Sequence, residues 1–244
     1  MIGFTSVTFR KYDIEKVVDI AKINNIHSIE WGEDVHVKNT ADAKRAKKLC
    51  DDNKITVSSY GSYFKIGSDK PSDFEEMCKI AEILNAPIIR VWLGEKGSEK
   101  TSDEEYKALV SDTRQIAETA QKYNQTIAFE FHQNTYNDNG KSCIKFINDC
   151  GMANVKTYWQ PFFKGNDSNN LRTVFPYTVN IHVFFWNTIG KRFTLKKGKS
   201  EWSKWIEIAK ESGYNGNYTM EFCKRDSKRI FAKDVKTLNS ILGD

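Results

Sequence analysis

The sequence predicts an α/β protein, a single (β/α)8 TIM barrel in which residues 1–244 form one domain. Eight short runs of β-branched and aromatic residues alternate with longer amphipathic segments. No linker or change in composition interrupts them, and eight strand–helix units in 244 residues fit a barrel in number and size. An open doubly wound sheet is the rival architecture, but it usually has a glycine-rich turn after its first strand, where this chain has VTFRKYD.

The predicted strands are short apolar runs, most with a polar residue near the carboxyl end. They cover residues 2–7, 26–31, 55–60, 87–92, 126–131, 155–160, 180–185 and 217–222. A helix is predicted after each strand, because apolar residues recur there at helical spacing. Some of these segments also begin with a helix-start signal, such as the capping-box pattern of Ser102 and Glu105. The helices are predicted from Asp13, from about Thr40, behind Pro71, at 102–124, near 141–150, around Leu171, at 201–213 and at 227–242.

Composition argues against several classes of partner. The net charge of +5, from 37 basic and 32 acidic residues, is spread along the chain and does not predict nucleic-acid binding. No apolar run is long enough to span a membrane, and no signal peptide is evident. The five cysteines form no C-x-x-C pair, which is typical of reduced cysteines in a cytoplasmic protein. Aromatic residues such as Phe162, Phe163 and Phe185 leave room for a homo-oligomer.

Polar side chains stand near the carboxyl ends of six predicted strands, which is where barrel enzymes have their active sites. Alternation along each strand turns these side chains to the inside of the barrel, with apolar neighbours on the other face. The set is Glu30 on strand 2, Arg90 on strand 4, Glu130 and His132 on strand 5, Gln160 on strand 6, His182 on strand 7 and Glu221 on strand 8.

The chemistry of this set favours a metal site. Two carboxylates, Glu130 and Glu221, repel each other in a small space unless a proton or a divalent cation lies between them. With the imidazole of His182 they suit Mn²⁺, Mg²⁺, Co²⁺ or Zn²⁺. Gln160 is either a neutral fourth ligand through its amide oxygen or a residue that hydrogen-bonds the substrate. His132 is either a catalytic base or a structural histidine.

Further residues are predicted to bind substrate at the same end of the barrel. Glu30 and Arg90 either form an internal ion pair or orient substrate oxygens. The remaining substrate-binding candidates are His36 and Lys65 on the loops after strands 2 and 3, Trp92 and Trp186 as apolar walls, and Arg192 in the basic loop GKRFTLKKGKS. That loop brings cations to the region where barrels often hold phosphate, although a solvated loop has the same composition.

The motifs SIEWGEDVH, IIRVWLGEKGS, IAFEFHQNT, TYWQP, NIHVFFW and YTMEF carry a family resemblance over nearly the whole chain. The chain resembles the xylose isomerase-like TIM barrel superfamily, which includes sugar phosphate isomerases and epimerases. The resemblance implies one divalent metal ion held by Glu130, Gln160, His182 and Glu221, with Gln160 where the epimerase branch has aspartate. It also implies that Glu130 and Glu221 move a proton between neighbouring carbons of the substrate.

The expected function is therefore that of a metal-dependent isomerase or epimerase of a small sugar or sugar phosphate, acting through an enediolate. The alternative is a dehydratase similar to 3-dehydroshikimate dehydratase, with His132 as the base. A non-catalytic sugar-binding barrel is a third interpretation, which Gln160 keeps open. An endonuclease IV-like repair enzyme is disfavoured, because such enzymes need more histidines than the four in this chain.

Overall fold

Eight parallel strands pair in sequence order and close into a barrel, in which the last strand pairs with the first. The computed structural model describes residues 1–243. The strands are β1 (Ile2–Thr5), β2 (Ser28–Gly32), β3 (Thr56–Ile66), β4 (Ile88–Leu93), β5 (Thr126–Phe129), β6 (Val155–Trp159), β7 (Thr178–Val183) and β8 (Asn217–Met220). The predicted (β/α)8 barrel is thereby confirmed.

Each strand is followed by a helix that packs on the outside of the sheet. The helices are α1 (Ile14–Ile23), α2 (Thr40–Asp52), α3 (Phe74–Leu84), α4 (Asp103–Lys122), α5 (Gly140–Cys150), α6 (Asp167–Val174), α7 (Lys199–Glu211) and α8 (Lys228–Leu242). The Ser102–Glu105 capping box is present at the start of α4. Among residues 1–243, no helix is long and apolar enough to cross a membrane.

The apolar core lies between the sheet and the helices, because the outward face of each strand meets the apolar stripe of its helix. Trp159 at the end of β6 illustrates this packing. Its ring meets Trp202 and Trp205 of α7 edge-to-face, with centroids 6.1 and 5.5 Å away. Burial of such large rings stabilises the barrel wall and leaves the residues on either side of Trp159 facing inwards.

Strands β5, β6 and β8 end one or two residues earlier than the sequence predicts. Glu130, Gln160 and Glu221 each lie one residue beyond the end of a strand. Two of them still continue the parallel ladder, since Glu130 N donates to Val91 O at 2.9 Å and Glu221 N donates to Val183 O at 3.0 Å. Their side chains therefore keep the inward direction that strand alternation predicts.

The backbone bends sharply just after β8. Phe222 has a φ of +59°, a left-handed conformation that is rare for an aromatic residue. Its N–H donates to Thr8 Oγ1 at 3.0 Å, in the turn that follows β1. The hydroxyl of Thr8 is also 3.5 Å from the carbonyl oxygen of Met220. The turn after β1 thus supports the backbone on both sides of Glu221.

We expect Asp234→Asn to stabilise the protein at neutral pH. Asp234 is buried in α8, accepts a hydrogen bond from Leu195 N at 2.8 Å, and burial raises its pKa to about 6. Since the folded pKa lies above the unfolded value, ionisation of Asp234 costs stability, and this cost grows as pH rises from about 4 to about 6. Asparagine keeps an oxygen that can accept the bond from Leu195 N but carries no charge. The free energy of unfolding of the variant should therefore be about 2 kcal/mol higher than that of the wild type at pH 7.5.

Urea unfolding of both proteins at pH 4 and pH 7.5 measures this difference. The gain should shrink towards zero at pH 4, where wild-type Asp234 is protonated. A variant that is less stable than the wild type at pH 7.5 would show that the charge itself is needed.

Candidate active site

One arginine lies among three glutamates at the carboxyl end of the barrel. Arg90 Nη1, from β4, is 3.1 Å from Glu130 Oε2, 3.7 Å from Glu30 Oε1 and 3.9 Å from Glu221 Oε1. All four side chains are buried. Burial alone would lower the pKa of Arg90, but the carboxylates of Glu130, Glu30 and Glu221 outweigh it and raise that pKa above its ordinary value. Arg90 is therefore a permanent cation at the centre of the site.

Glu30, at the inner side of the cluster, is completely shielded from solvent. Its Oε2 accepts hydrogen bonds from Ser59 Oγ at 2.8 Å and from the hydroxyl of Tyr158 at 2.9 Å. Burial opposes ionisation of Glu30, but His182 and Arg90 prevail and hold the pKa of its carboxyl well below its usual value. Glu30 is an anchored anion that faces His182, below the mouth of the barrel.

The two ring nitrogens of His182, on β7, face different groups. Nε2 is 3.4 Å from Glu30 Oε1, whereas Nδ1 is 3.3 Å from both Glu221 Oε2 and Gln160 Oε1. Burial lowers the pKa of His182, but Glu221 and Glu30 outweigh burial and raise that pKa to about 10. Without a metal ion, His182 and Arg90 therefore provide two cations against the three carboxylates.

The donor set fits a divalent metal ion. Glu130, His182 and Glu221 each offer one ligand atom, and these atoms lie within 4.8 Å of one another. Gln160 adds an amide oxygen on the same side of His182. Carboxylate, imidazole and amide ligands suit Mg²⁺, Mn²⁺, Co²⁺ and Zn²⁺. With His182 neutral, three carboxylates and Arg90 leave two negative charges, which one divalent ion neutralises.

His132 and Trp92 lie near the ends of β5 and β4. Their rings lie against each other with centroids 4.6 Å apart, and Tyr63 stacks on Trp92 at 6.4 Å. Tyr63 connects them to the charged cluster, since its ring centroid is 5.7 Å from the guanidinium carbon of Arg90. Nδ1 of His132 is 2.5 Å from the carbonyl oxygen of Gln133. If Nδ1 carries the proton in this contact, Nε2 keeps a lone pair and can act as a base.

Two residues predicted to bind substrate have other partners in the structure. His36 is buried, with Nδ1 3.0 Å from Ser6 Oγ and Nε2 3.0 Å from the carbonyl oxygen of Tyr12. Both ring nitrogens are thus engaged within the fold. The amine of Lys65 forms an ion pair with Glu95 at 2.6 Å on the surface, where both side chains are largely solvated. The structure does not bring either side chain into the charged cluster.

Arg192 and Trp186 belong to the loop after β7. The guanidinium carbon of Arg192 lies 4.4 Å from the centroid of Phe222 and 5.5 Å from the centroid of Trp186. Its Nη1 pairs with Asp226 at 2.7 Å. Phe222 joins this group to the site along the chain, since it directly follows Glu221.

Ser59 and Tyr158 are site residues that the sequence analysis missed. Tyr158 lies two residues before Gln160, so the alternation that turned Gln160 inwards also placed Tyr158 inside the barrel. Ser59 lies opposite Glu30 where β2 and β3 pair, and the register of two strands cannot be obtained from the residue pattern alone. Only the first of these two positions therefore had a signal in the sequence.

A family model described as "Xylose isomerase-like TIM barrel" matches residues 18–241. Among curated proteins, a 3-dehydroshikimate dehydratase of Bacillus anthracis is 26% identical over 151 residues, 57% of this chain and 53% of that protein. A probable L-ribulose-5-phosphate 3-epimerase of Mycoplasma pneumoniae is 26% identical over 140 residues, 54% of this chain and 45% of the relative. The chain thus spans about half the length of the curated relatives it matches.

Solved structures share the fold over nearly the full length. The probable 3-DHS dehydratase AsbF of Bacillus anthracis superposes with a TM-score of 0.85 at 18% identity, covering 98% of both chains. D-psicose 3-epimerase of Clostridium cellulolyticum H10, solved with D-tagatose, gives a TM-score of 0.77 at 13% identity, again covering 98% of both chains. At these identities the likeness extends to the fold alone.

We expect Arg90→Met to destabilise the metal-free protein by about 3–5 kcal/mol, because it leaves three buried carboxylates without their central cation. Mn²⁺ should restore more stability to the variant than it adds to the wild type. Urea unfolding with EDTA and with Mn²⁺ measures both effects. Arg10→Met, which removes a solvated pair with Asp34, is the control and should cost no more than about 1 kcal/mol. An equal loss in the two variants would contradict the central role of Arg90.

We expect Gln160→Asp to bind Mn²⁺ about tenfold more tightly, because a carboxylate would replace the amide oxygen beside His182 Nδ1. Isothermal titration calorimetry of metal-depleted protein measures the affinity. Gln133→Asp is the matched control, since Gln133 accepts a hydrogen bond from Lys164 and lies outside the ligand set. Weaker Mn²⁺ binding by Gln160→Asp would exclude Gln160 as a ligand.

Proposed function

Because this chain belongs to the xylose isomerase-like TIM barrel family, we propose that it is a divalent-metal-dependent isomerase or epimerase of a small sugar or sugar phosphate. One observation carries the proposal. Glu130 and Glu221 both approach the same nitrogen of Arg90, at 3.1 and 3.9 Å, beside the imidazole of His182. Two carboxylates that converge on one small space can exchange protons with a substrate carbon from two sides.

In the proposed reaction, Glu130 and Glu221 act as the general base and the general acid. One carboxylate removes the proton from the carbon beside the substrate carbonyl, and the other returns a proton to the opposite face or to the neighbouring carbon. A bound divalent ion would supply Lewis-acid polarisation of the carbonyl and the adjacent hydroxyl. Glu130, Gln160, His182 and Glu221 would hold that ion.

Arg90 has a second role in this proposal. Its guanidinium remains cationic, is fixed by carboxylates on three sides, and can donate to the oxygen that gains charge in the enediolate. We propose that the half-buried ring of Trp92, which packs against Tyr63 and His132, also offers apolar surface to the C–H face of a sugar. We propose that Trp186 and Arg192, which contact each other in the loop after β7, bind the distal end of the substrate.

A dehydratase is the second candidate, and the geometry of His132 favours it. With the Nδ1 proton directed to Gln133 O, Nε2 is available as a base beside Trp92. In that reaction His132 would remove a C–H proton next to a carbonyl, and the hydroxyl on the following carbon would leave as water after protonation by a carboxylic acid of the site. The curated and structural relatives include proteins named for each of the two activities.

The remaining parts of the proposal concern context. Residues 1–244 are proposed to act as one domain, with a small carbohydrate as the partner and neither nucleic acid nor membrane involved. The five cysteines are buried and unpaired, which supports a reducing, cytoplasmic environment. Homo-oligomer formation through the aromatic residues near Phe163 and Phe185 stays part of the proposal.

We expect Glu130→Gln and Glu221→Gln each to lower turnover at least about a thousandfold, since each removes a proton-transferring carboxylate. Both variants should keep the wild-type circular dichroism spectrum. Turnover is measured by NMR on a panel of ketoses and ketose phosphates with Mn²⁺ in D₂O. Glu33→Gln is the matched control: this glutamate at the same end of the barrel accepts a hydrogen bond from Tyr63 N and should keep wild-type activity.

The same samples separate the two candidate reactions. An isomerase or epimerase leaves the product mass unchanged apart from solvent deuterium at the carbon beside the carbonyl. A dehydratase gives a product lighter by one water, and His132→Asn should abolish that loss. Full activity in either glutamine variant would contradict the roles assigned to Glu130 and Glu221.

A further inference from the structure

We propose that Glu30 is a positioning residue: it accepts the Nε2 proton of His182 and thereby directs the lone pair of Nδ1 towards the metal ion. This inference rests on the metal site of the proposed function and assigns it a second layer of residues. It replaces the sequence-based expectation that Glu30 binds substrate.

The burial of Glu30 separates it from the substrate. Its side chain has no exposed surface, and its Oε2 is already occupied by the hydroxyls of Ser59 and Tyr158. Its Oε1 is 3.4 Å from Nε2 of His182. Among residues 1–243 neither atom has a hydrogen-bond partner of good geometry, and their 3.4 Å contact with each other is not aligned as a hydrogen bond either. An unpaired buried polar atom is costly, and this contact is the shortest polar contact of both atoms, so we infer that a small rotation of the two side chains makes it a hydrogen bond.

Tyr158 fixes both members of this pair. Its hydroxyl donates to Glu30 Oε2, and its ring meets the imidazole of His182 edge-to-face with centroids 5.0 Å apart. Burial raises the pKa of Tyr158 well above its ordinary value, so the hydroxyl keeps its proton and remains a donor. The carboxylate and the imidazole plane are therefore held by one residue from β6, while Ser59 holds the carboxylate from β3.

The opposite edge of the imidazole faces the proposed ligands. Nδ1 lies 3.3 Å from Glu221 Oε2 and 3.3 Å from Gln160 Oε1. A histidine binds a metal ion through an unprotonated nitrogen, and the other nitrogen commonly donates to a carboxylate that sets the tautomer and the ring orientation. Glu30 occupies the place of that carboxylate.

The substitution Glu30→Gln should reverse the arrangement. Ser59 and Tyr158 both donate to one oxygen, so the amide oxygen of the variant side chain would take that place and its NH₂ group would face His182 Nε2. An NH₂ donor there requires a lone pair on Nε2, which places the proton on Nδ1, the nitrogen that must bind the metal.

Calorimetric titration of the metal-depleted protein with Mn²⁺ tests the inference. Glu30→Gln should weaken Mn²⁺ binding at least about tenfold. Glu33→Gln, which removes a carboxylate three residues further along the chain, should bind Mn²⁺ like the wild type, since Glu33 bonds Tyr63 N and does not contact His182.

Proton–nitrogen NMR of the histidine rings at saturating Zn²⁺ provides a readout that a merely structural role would not alter. Wild-type His182 should show a protonated Nε2 and a metal-bound, unprotonated Nδ1. The Nε2 proton should disappear or move strongly in Glu30→Gln. The signal is assigned by its absence from His182→Asn, which is practical because the chain has four histidines.

The outcomes separate this inference from the proposed function. Wild-type protein that binds no Mn²⁺ would overturn the metal site and the role of Glu30 together. Glu30→Gln with wild-type affinity and an unchanged Nε2 signal would overturn the role of Glu30 alone. If Glu30→Gln does not fold, the Ser59→Ala/Tyr158→Phe double variant removes both anchors of the carboxylate and should weaken Mn²⁺ binding about threefold to tenfold. Unchanged binding in a folded double variant would equally overturn the inference.

Discussion

The site depends on one arginine that is buried among carboxylates. Glu30, Glu130 and Glu221 come from different parts of the barrel, and their charges cannot share a dry interior without compensation. Arg90 supplies this compensation from β4, within 3.9 Å of all three. Two negative charges remain, of which a proton on His182 offsets one, whereas a divalent ion beside neutral His182 would offset both. The barrel can therefore hold the same set of residues together in both situations.

The residues around Arg90 form two groups with different freedom. The inner group consists of Glu30, Ser59, Tyr158 and His182, all buried and joined by short contacts across four strands. The outer group of His132, Trp92, Trp186 and Arg192 consists of half-buried side chains on strand ends and loops. The buried inner group is held by packing on every side, whereas the half-buried outer group has more freedom to move.

The sequence predicted the barrel and the residues of the cluster because both follow from periodicity. Alternation within a strand fixed the inward direction of Glu130, His182 and Glu221, and barrel topology brought the strand ends together. Periodicity carries no information on partners far apart in the chain. Tyr158 bonds Glu30 across 128 positions, and the polar partners of His36 and Lys65 became visible only in three dimensions. The predicted strands 5, 6 and 8 extended one or two residues too far, because the apolar pattern continues past the point at which regular pairing ends; beyond it, Glu130 and Glu221 each keep one backbone bond to the neighbouring strand.

The bond between the turn after β1 and the backbone of Phe222 has a consequence for biosynthesis. The left-handed residue that follows Glu221 is supported by Thr8, which lies more than two hundred residues earlier in the chain. A nascent chain emerging from the ribosome has β1 long before β8, and its first seven strands carry Arg90 and Glu130 without the last carboxylate. The ligand set of the proposed metal site is therefore complete only after the two ends of the sheet have joined, and an unfinished chain does not contain it.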